Sequence, residues 1–539
     1  MKRDFTFITV LLTALLSVPA FAQTTGEVLK ITADDAVKLA IANNPDLATA
    51  GYGPRIGAEQ VAQALSAFQP TLQSNLQRNV QISPPNSVFF GNQSTRTDTW
   101  TGSAGVAQQL PWGGGSYSVT WNAVRTNANF TLNNFNPSVA STLQGTVSQP
   151  LLRGFKIDQF RANVTTAKEN ESIDDINLRE ISETTAANTE RAYWTLVLAR
   201  ASVVVSQQSL DLSLELERNN QARVNVGQSP PLDLVSAQAE EAARRTDLIV
   251  AQSLVKQAED ALRVLVIDPK RPDYWSVQID PSDLVPPVGS TPDVDAAVRA
   301  ALQQRTDLLR ARKQIEIDNT ALALAKNNVL PNLSAQATYM TNGLGGTELI
   351  TNGAFPITVL GEQPVAFGDV LRQLFAANYP TWTVGFTLNY PLGRSNEQAT
   401  LARSQIERDQ SVSQVRSSEL KAVHEVRVAA MQLDQARQQI DTTHLARQLE
   451  EQTLDAEQKR YEVGMSTNYN IIQAQRDLAV ARNNELRAQL DYQLALVAFE
   501  SAQQVPGAVS TAVTIPTPST ATSSTTTPSA SATGGGGGQ

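Results

Sequence analysis

Residues 157–226 and 395–463 each run for roughly 70 residues without a proline or glycine. As one continuous α-helix, such a run is about 105 Å long. Intrinsic propensity cannot hold a helix of that length, so each needs a partner along it. The first run is broken by Gly227-Gln228-Ser229-Pro230-Pro231 and the second by Gly464. A second helical stretch follows each break, at about 232–266 and 468–503. The chain is thus expected to hold two helical hairpins, each with one very long arm. Val423, Val426, Ala430, Leu433 and Ile440 have the spacing of a coiled-coil seam, with Arg437 interrupting it. An ordinary bundle core has the same spacing.

The two hairpins belong to two copies of one pattern. Residues 34–47 (DDAVKLAIANNPDL) match residues 295–308 (DAAVRAALQQRTDL), and Pro70 matches Pro331 at the same offset. Further on, Gln149-Pro150-Leu151 pairs with Tyr390-Pro391-Leu392. Arg223-Val224-Asn225-Val226-Gly227 pairs with Arg460-Tyr461-Glu462-Val463-Gly464, and Ala237-Gln238 with Ala474-Gln475. Each copy is expected to open with one helix, about 34–66 and 294–327. A β region follows in each, about 71–150 and 331–392.

The β regions alternate strictly. Trp382, Val384, Phe386, Leu388 and Tyr390 are interleaved with Thr383, Gly385, Thr387 and Asn389. Tyr117, Val119, Trp121 and Ala123 are interleaved with Ser116, Ser118, Thr120 and Asn122. An apolar face beside an uncharged Ser/Thr/Asn/Gln face suits a strand between lipid and a watery lumen. A soluble sandwich shares the alternation, but the scarcity of charge on the polar face favours the barrel.

The N-terminus has Lys2 and Arg3, an apolar run from Phe5 to Val18, and Ala20-Phe21-Ala22. It reads as a cleaved signal peptide over 1–22, because the run is too short to span a bilayer. With no later apolar run of 18 residues, any membrane span is a β-barrel. Cysteine is absent, which removes disulfides, thiol chemistry and a lipidated N-terminal cysteine. The net charge is −9, with no basic block to bind nucleic acid. The two histidines, His424 and His444, lie on one predicted helix about 30 Å apart. No constellation suggests an enzyme, a metal site or a cofactor. The domain reading is 1–22 signal, 23–266 first repeat, 267–293 Pro- and Asp-rich linker, 294–503 second repeat, and 504–539 a disordered Pro/Ser/Thr/Gly tail.

These landmarks, with SQPLLRG and the RxxVG tips followed by DLVSAQ and NIIQAQ, resemble the TolC-like outer membrane efflux proteins over about residues 30–503. The resemblance implies a mixed membrane α+β fold. Three chains share an outer-membrane β-barrel continuous with a long periplasmic α-helical barrel. It implies a homotrimer in outer-membrane lipid, working with a periplasmic adaptor and an inner-membrane transporter, without cofactor or catalysis. Efflux and type I secretion both fit. A surface coiled-coil structural protein would account for the helices alone, and a passive porin for the strands alone. The chain departs from the family's usual strand pair in the first repeat. Residues 98–110 and 115–130, joined by Pro111-Trp112-Gly113-Gly114-Gly115, look like an extra hairpin. Either the sheet has six strands per chain rather than four, or this hairpin packs outside it.

The resemblance also assigns residues. The family's tunnel closes at its periplasmic tip, where two aspartates stand six and nine residues after the second tip glycine and a tyrosine stands three before it. The matching positions are Asn470, Gln473 and Tyr461, so both acids are amides here. In the first repeat Asp233 stands where the second has Asn470. Asp233, behind Pro230-Pro231, and Asn470 also suit helix caps. Val226-Gly227-Gln228 and Val463-Gly464-Met465 resemble adaptor-docking turns, and each glycine equally suits a helix C-cap.

Overall fold

The computed structural model describes residues 28–85, 94–129, 133–283, 289, 292–353, 358–393 and 395–504. The signal-peptide and tail expectations lie outside the described residues.

Both long runs are single helices of 67 residues, α4 (Gln159–Asn225) and α9 (Asn396–Glu462), numbering the helices in chain order. Each starts on a side-chain cap. Asp158 accepts the Arg161 N–H at 2.9 Å and Ser395 accepts the Gln398 N–H at 3.3 Å. Each turns back into a 36-residue partner, α5 (Pro231–Val266) or α10 (Asn468–Gln503).

The helix opening each repeat is broken, contrary to the single helix expected. The first repeat has α1 (Ala33–Asn43), α2 (Pro45–Ala50) and α3 (Tyr52–Leu65). Pro45 forces Asn44 into an extended conformation, and the Asn44 side chain caps α2. The second repeat has α6 (Val294–Gln304) and α7 (Thr306–Asn328). Its break falls at Arg305, the position equivalent to Asn44, with no proline. Here the released Thr306 N–H is taken by Gln504 Oε1 at 2.6 Å. The broken segments let α3 and α7 run beside the upper halves of α4 and α9, while α5 and α10 flank the lower halves. Each long helix is thereby partnered along its length.

The linker holds structure that its composition did not suggest. β6 (Gln278–Pro281) pairs in parallel with β1 (Val28–Ile31). This small sheet closes a core of Ile31, Tyr193, Leu196, Leu262, Val266 and Ile279 at mid-length of α4. Burying each aliphatic side chain there is worth about 2 kcal/mol. The fully buried Tyr193 donates from its hydroxyl to Asp283 Oδ2 at 3.0 Å, and burial pushes its pKa up to about 12. The matching core of the second repeat packs Val426, Ala430 and Leu433 on Tyr492, Phe499 and Ala297.

The remaining strands are β2 (Thr71–Ser83), β3 (Thr95–Gln109), β4 (Ser116–Ala128), β5 (Phe135–Pro150), β7 (Asn332–Thr351), β8 (Val359–Val365) and β9 (Pro380–Asn389). They form one antiparallel sheet in the order β2-β3-β4-β5-β7, with β9 and β8 end to end on the far edge of β7. Among the described residues, seven strands therefore occupy six positions of this sheet. The β3–β4 hairpin lies within the sheet, between β2 and β5. Its turn is fixed at the junction with α4. Gln149 Nε2 donates to the Gly113 carbonyl at 2.7 Å. Gly114, at φ +66°, lies so close that a Cβ would sit 2.2 Å from the Gly154 carbonyl oxygen. A short helix absent from the sequence reading, α8 (Phe367–Phe375), fills the gap between β8 and β9. Gln373 Oε1 accepts the Leu344 N–H, which has no strand partner on that edge, at 3.2 Å.

Candidate functional site: the helix tips and the two-faced sheet

The two tips are the same local structure. Gly227 (φ +75°) and Gly464 (φ +77°) are left-handed residues ending α4 and α9. At the first, the Gln228 N–H bonds the Arg223 carbonyl and the Gly227 N–H the Val224 carbonyl, at 2.8 and 3.0 Å. At the second, the Met465 N–H bonds the Arg460 carbonyl and the Gly464 N–H the Tyr461 carbonyl, at 2.8 and 3.1 Å. Both are Schellman motifs, so the C-cap reading of the glycines describes their local role. The tips present Val226, Leu232, Val463, Met465 and Tyr469 to solvent, and Gln228 is exposed beside them.

Behind the tips, one chain of hydrogen bonds links all four helices. The Tyr461 hydroxyl (α9) donates to Asn220 Oδ1 (α4) at 2.7 Å. Asn220 Nδ2 donates to Asn468 Oδ1 (α10) at 2.7 Å, and Asn468 Nδ2 to the Asp233 carbonyl (α5) at 3.1 Å. Asn220 and Asn468 are buried, so a fully satisfied chain is what makes them tolerable there. The Arg223 guanidinium lies 4.3 Å from the centroid of the Tyr461 ring. Leu216, Ile471 and Ile472 complete the apolar packing around the ring. Two turns into α5, the buried Glu240 accepts from Arg244 at 2.9 Å and from Arg476 of α10 at 2.7 Å.

The structure brings Tyr461 and the Asp233 backbone into this cluster. It does not bring in Asn470 or Gln473. Both are exposed on α10, three residues apart on one face. Asn470 Nδ2 donates to Ser466 Oγ at 3.2 Å, and Gln473 Nε2 to Asp477 Oδ1 at 2.9 Å. The helix-cap readings of Asp233 and Asn470 are corrected. The capping residues are Pro230 and Thr467, so both side chains sit in the first turn of their helices. Ser466 Oγ also donates to Glu457 Oε2 at 2.7 Å, which with Arg460 holds that carboxyl below its ordinary range. Sequence reasoning missed Asn220, Arg223, Glu240, Asn468, Arg476 and Asp477. The one available signal was polar side chains at core-spaced positions of the long helices.

The sheet has two unlike faces in register. Leu76, Gly102, Ala123, Ser141 and Gly343 stand side by side across five strands. Leu72, Val106, Val119 and Gly145 form a row on the same face, nearer the helices, and Trp382, Val384, Phe386 and Leu388 of β9 extend that face. These β9 side chains are strongly exposed in the single chain. The opposite face carries Thr, Ser, Asn and Gln and no charged residue along β2–β5, β9 and Asn332–Gly345. Among the described residues no helix is long and apolar enough to cross a membrane.

Solved outer membrane channels share this architecture. The CusC channel superposes with a TM-score of 0.64 at 15% identity, over 90% of this chain and 95% of that one. The Campylobacter jejuni CmeC channel gives 0.59 at 15% identity, over 94% of each chain. The open state of the Neisseria gonorrhoeae MtrE channel gives 0.58 at 17% identity, over 88% of each. No curated protein matches the sequence significantly. The outer membrane efflux protein model matches twice, over residues 36–266 and 297–502, once for each repeat read from the sequence. With both halves matched, the chain belongs to the outer membrane efflux protein family.

Proposed function

We propose that three copies of this chain form the outer-membrane exit duct of a tripartite efflux or secretion machine. The observation that carries this reading is the union of two features in one chain. Two 67-residue helices end in matching tips, and they hang from a sheet with one largely apolar face and one polar face that is uncharged along β2–β5, β9 and Asn332–Gly345. A sheet with open edges cannot stand in lipid. Pairing β2 of one copy with the β9/β8 edge of the next removes both edges. Three sheets, six positions wide, then close into a barrel of 18 strands, a size that leaves an aqueous lumen. Family membership supports the transport role and gives no support to an enzyme. A coiled-coil structural protein has no use for the two-faced sheet, and a passive porin has none for the helices.

In this reading residues 1–22 direct export, and the helices extend into the periplasm. The exposed tips Val226-Gly227-Gln228 and Val463-Gly464-Met465 meet a periplasmic adaptor, which joins an inner-membrane transporter. The Tyr461–Asn220–Asn468–Asp233 chain holds the tip helices together in the closed state. Asn470 and Gln473 line the constriction as amides, with Asp477 one turn further along the same stripe supplying a carboxylate. Single-particle imaging of the mature protein in mild detergent tests the whole reading. A three-fold tube well over 100 Å long with a detergent belt at one end is expected. Particles without a belt, or a short barrel without a stalk, would refute it.

A further inference from the structure

The apolar face of the sheet carries four charged residues along β2–β5, β9 and Asn332–Gly345, and all four fall at one end of β2–β4. Arg78, Trp100, Arg125, Val139 and Gly345 stand in one row. Arg96 and Asp98 lie further out on β3, opposite Ile82 and Val80. This is the end away from the helices, because β2 leaves α3 at Thr71 and β5 enters α4 after Pro150. Arg78 is committed: it clamps Asp98 at 2.6 and 3.0 Å and lies 5.2 Å from the centroid of the Trp100 ring. Arg96 and Arg125 are exposed, lie within electrostatic reach of Asp98, and make no side-chain hydrogen bond or ion pair among the described residues. The cluster keeps a net charge of +2.

Two independent marks suit this row to a membrane interface. Trp100 is an exposed indole at the edge of the apolar band, where barrels carry aromatic girdles. The amphipathic α8 lies flat over the same row: Val370 is buried against Gly343 and Gly345, while Phe367 and Phe375 are exposed. A helix with apolar residues on both sides and Arg372 at its rim suits the boundary between headgroups and acyl chains. Arginine on a lipid-facing strand is costly at the midplane and inexpensive at the interface. Its planar fork matches phosphate oxygens.

Building on the membrane-barrel reading, we propose that Arg96 and Arg125 form a docking site for the phosphates of an outer-leaflet glycolipid, one per subunit, with Trp100 and α8 bracketing its acyl chains. The occupant is a lipid because the site opens sideways onto the apolar face and not into the lumen. Its chemistry is phosphate because the net charge is positive and the free donors are guanidinium groups.

The test is native mass spectrometry of the full-length detergent-solubilised trimer, titrated with bisphosphorylated lipid A, with the same lipid stripped of both phosphates, and with inorganic phosphate. Up to three bound lipids are expected, with strong preference for the phosphorylated form and no competition from millimolar inorganic phosphate. Arg96→Gln with Arg125→Gln should weaken phosphorylated-lipid binding roughly 30-fold, about fivefold for each arginine removed. The double lysine variant should retain most of it. Arg403→Gln, on an exposed stretch of α9, should change nothing. Equal binding of both lipid forms, full competition by inorganic phosphate, or glutamine variants that bind like wild type would each overturn the site. A chain that fails to form a belted trimer would instead refute the barrel reading beneath it.

Discussion

Deleting the β3–β4 hairpin, residues 95–128, should narrow the outer barrel without unmaking it. β2 runs away from the helices and β5 returns to them, so joining one to the other keeps a legal antiparallel pair. Strands about 4.8 Å apart and tilted by about 40° each occupy about 6.3 Å of circumference. Eighteen strands then give about 113 Å and a backbone diameter of about 36 Å, whereas twelve give about 75 Å and about 24 Å. A difference of about 12 Å is visible in single-particle maps even where side chains are not. The deletion also frees Gln149 and exposes the Gly154 carbonyl region that the Gly113–Gly114 turn covers, so some loss of thermal stability is expected. Trimers should persist, because the hairpin approaches the long helices at the start of α4, where Gly114 faces Asp158 and Arg161, and the α4–α5 and α9–α10 packing lies beyond it. The reasoning fails if the intact protein shows a twelve-stranded barrel with β3 and β4 outside it. It fails equally if the deletion leaves the diameter unchanged.

Four further outcomes are expected. Tyr461→Phe strands the buried Asn220 Oδ1 at a cost of about 1–3 kcal/mol; amide exchange across residues 461–475 should accelerate, and unchanged exchange would show that this bond does not hold the tip. Asn470→Asp with Gln473→Asp adds two carboxylates per subunit beside Asp477 and should strengthen single-channel block by a trivalent cation; equal block before and after removes these residues from the constriction. Gly227→Arg and Gly464→Arg cost about 1–2 kcal/mol for the left-handed backbone and meet no neighbouring atom; export should be lost while trimers remain, and export surviving both would place docking elsewhere. Glu190 is raised to about 7 by burial first, then by Glu500 and Asp34; the folded state holds its proton where the unfolded chain, at 4.5, has released it, so stability is full at acid pH and falls as pH rises through 7. Glu190→Gln should therefore stabilise the protein by about 1 kcal/mol at pH 8, after allowing for solvent screening, and by little at pH 4.5; melting curves that shift equally at both pH values would refute it.

The long helices and the two-faced strands were legible because each rests on a rule that one sequence can display. An absence of Pro and Gly over some 70 residues leaves helix as the only regular structure, and period-two alternation sorts the two faces of a strand. The breaks near the repeat starts were less legible for different reasons. Pro45 was visible and marks a boundary after Asn44. The equivalent break at Arg305 depends on Gln504, nearly 200 residues away, accepting the Thr306 N–H. β6 and α8 follow the same logic: each fills an edge that exists only once distant strands have paired. At the tips, the glycines could be found from local pattern, and Tyr461 from the family resemblance that places a tyrosine three residues before the second tip glycine. Asn220 and Asn468 could not, since a buried asparagine on a polar helix looks like any solvated one until its partners are placed.

The two tips match in backbone yet differ in how their second helices begin, and the difference bears on which pair can move. α5 starts on Pro231, whose ring fixes φ, and Asp233 contributes only its carbonyl to the hydrogen-bond chain. At the equivalent place α10 starts on Asn468, whose side chain gives one bond to Asp233 and receives one from Asn220. The first repeat is thus set by covalent geometry, and the second is held to it by amide hydrogen bonds, the Tyr461 hydroxyl and the Arg476–Glu240 pair. Each of these hydrogen bonds is worth about 1 kcal/mol net. A force spread over the exposed tips can exchange them for water one at a time, whereas a proline-fixed start has no such intermediate. An opening motion should therefore swing α9 and α10 away from a stationary α4–α5 pair, with Asn220 as the point of parting.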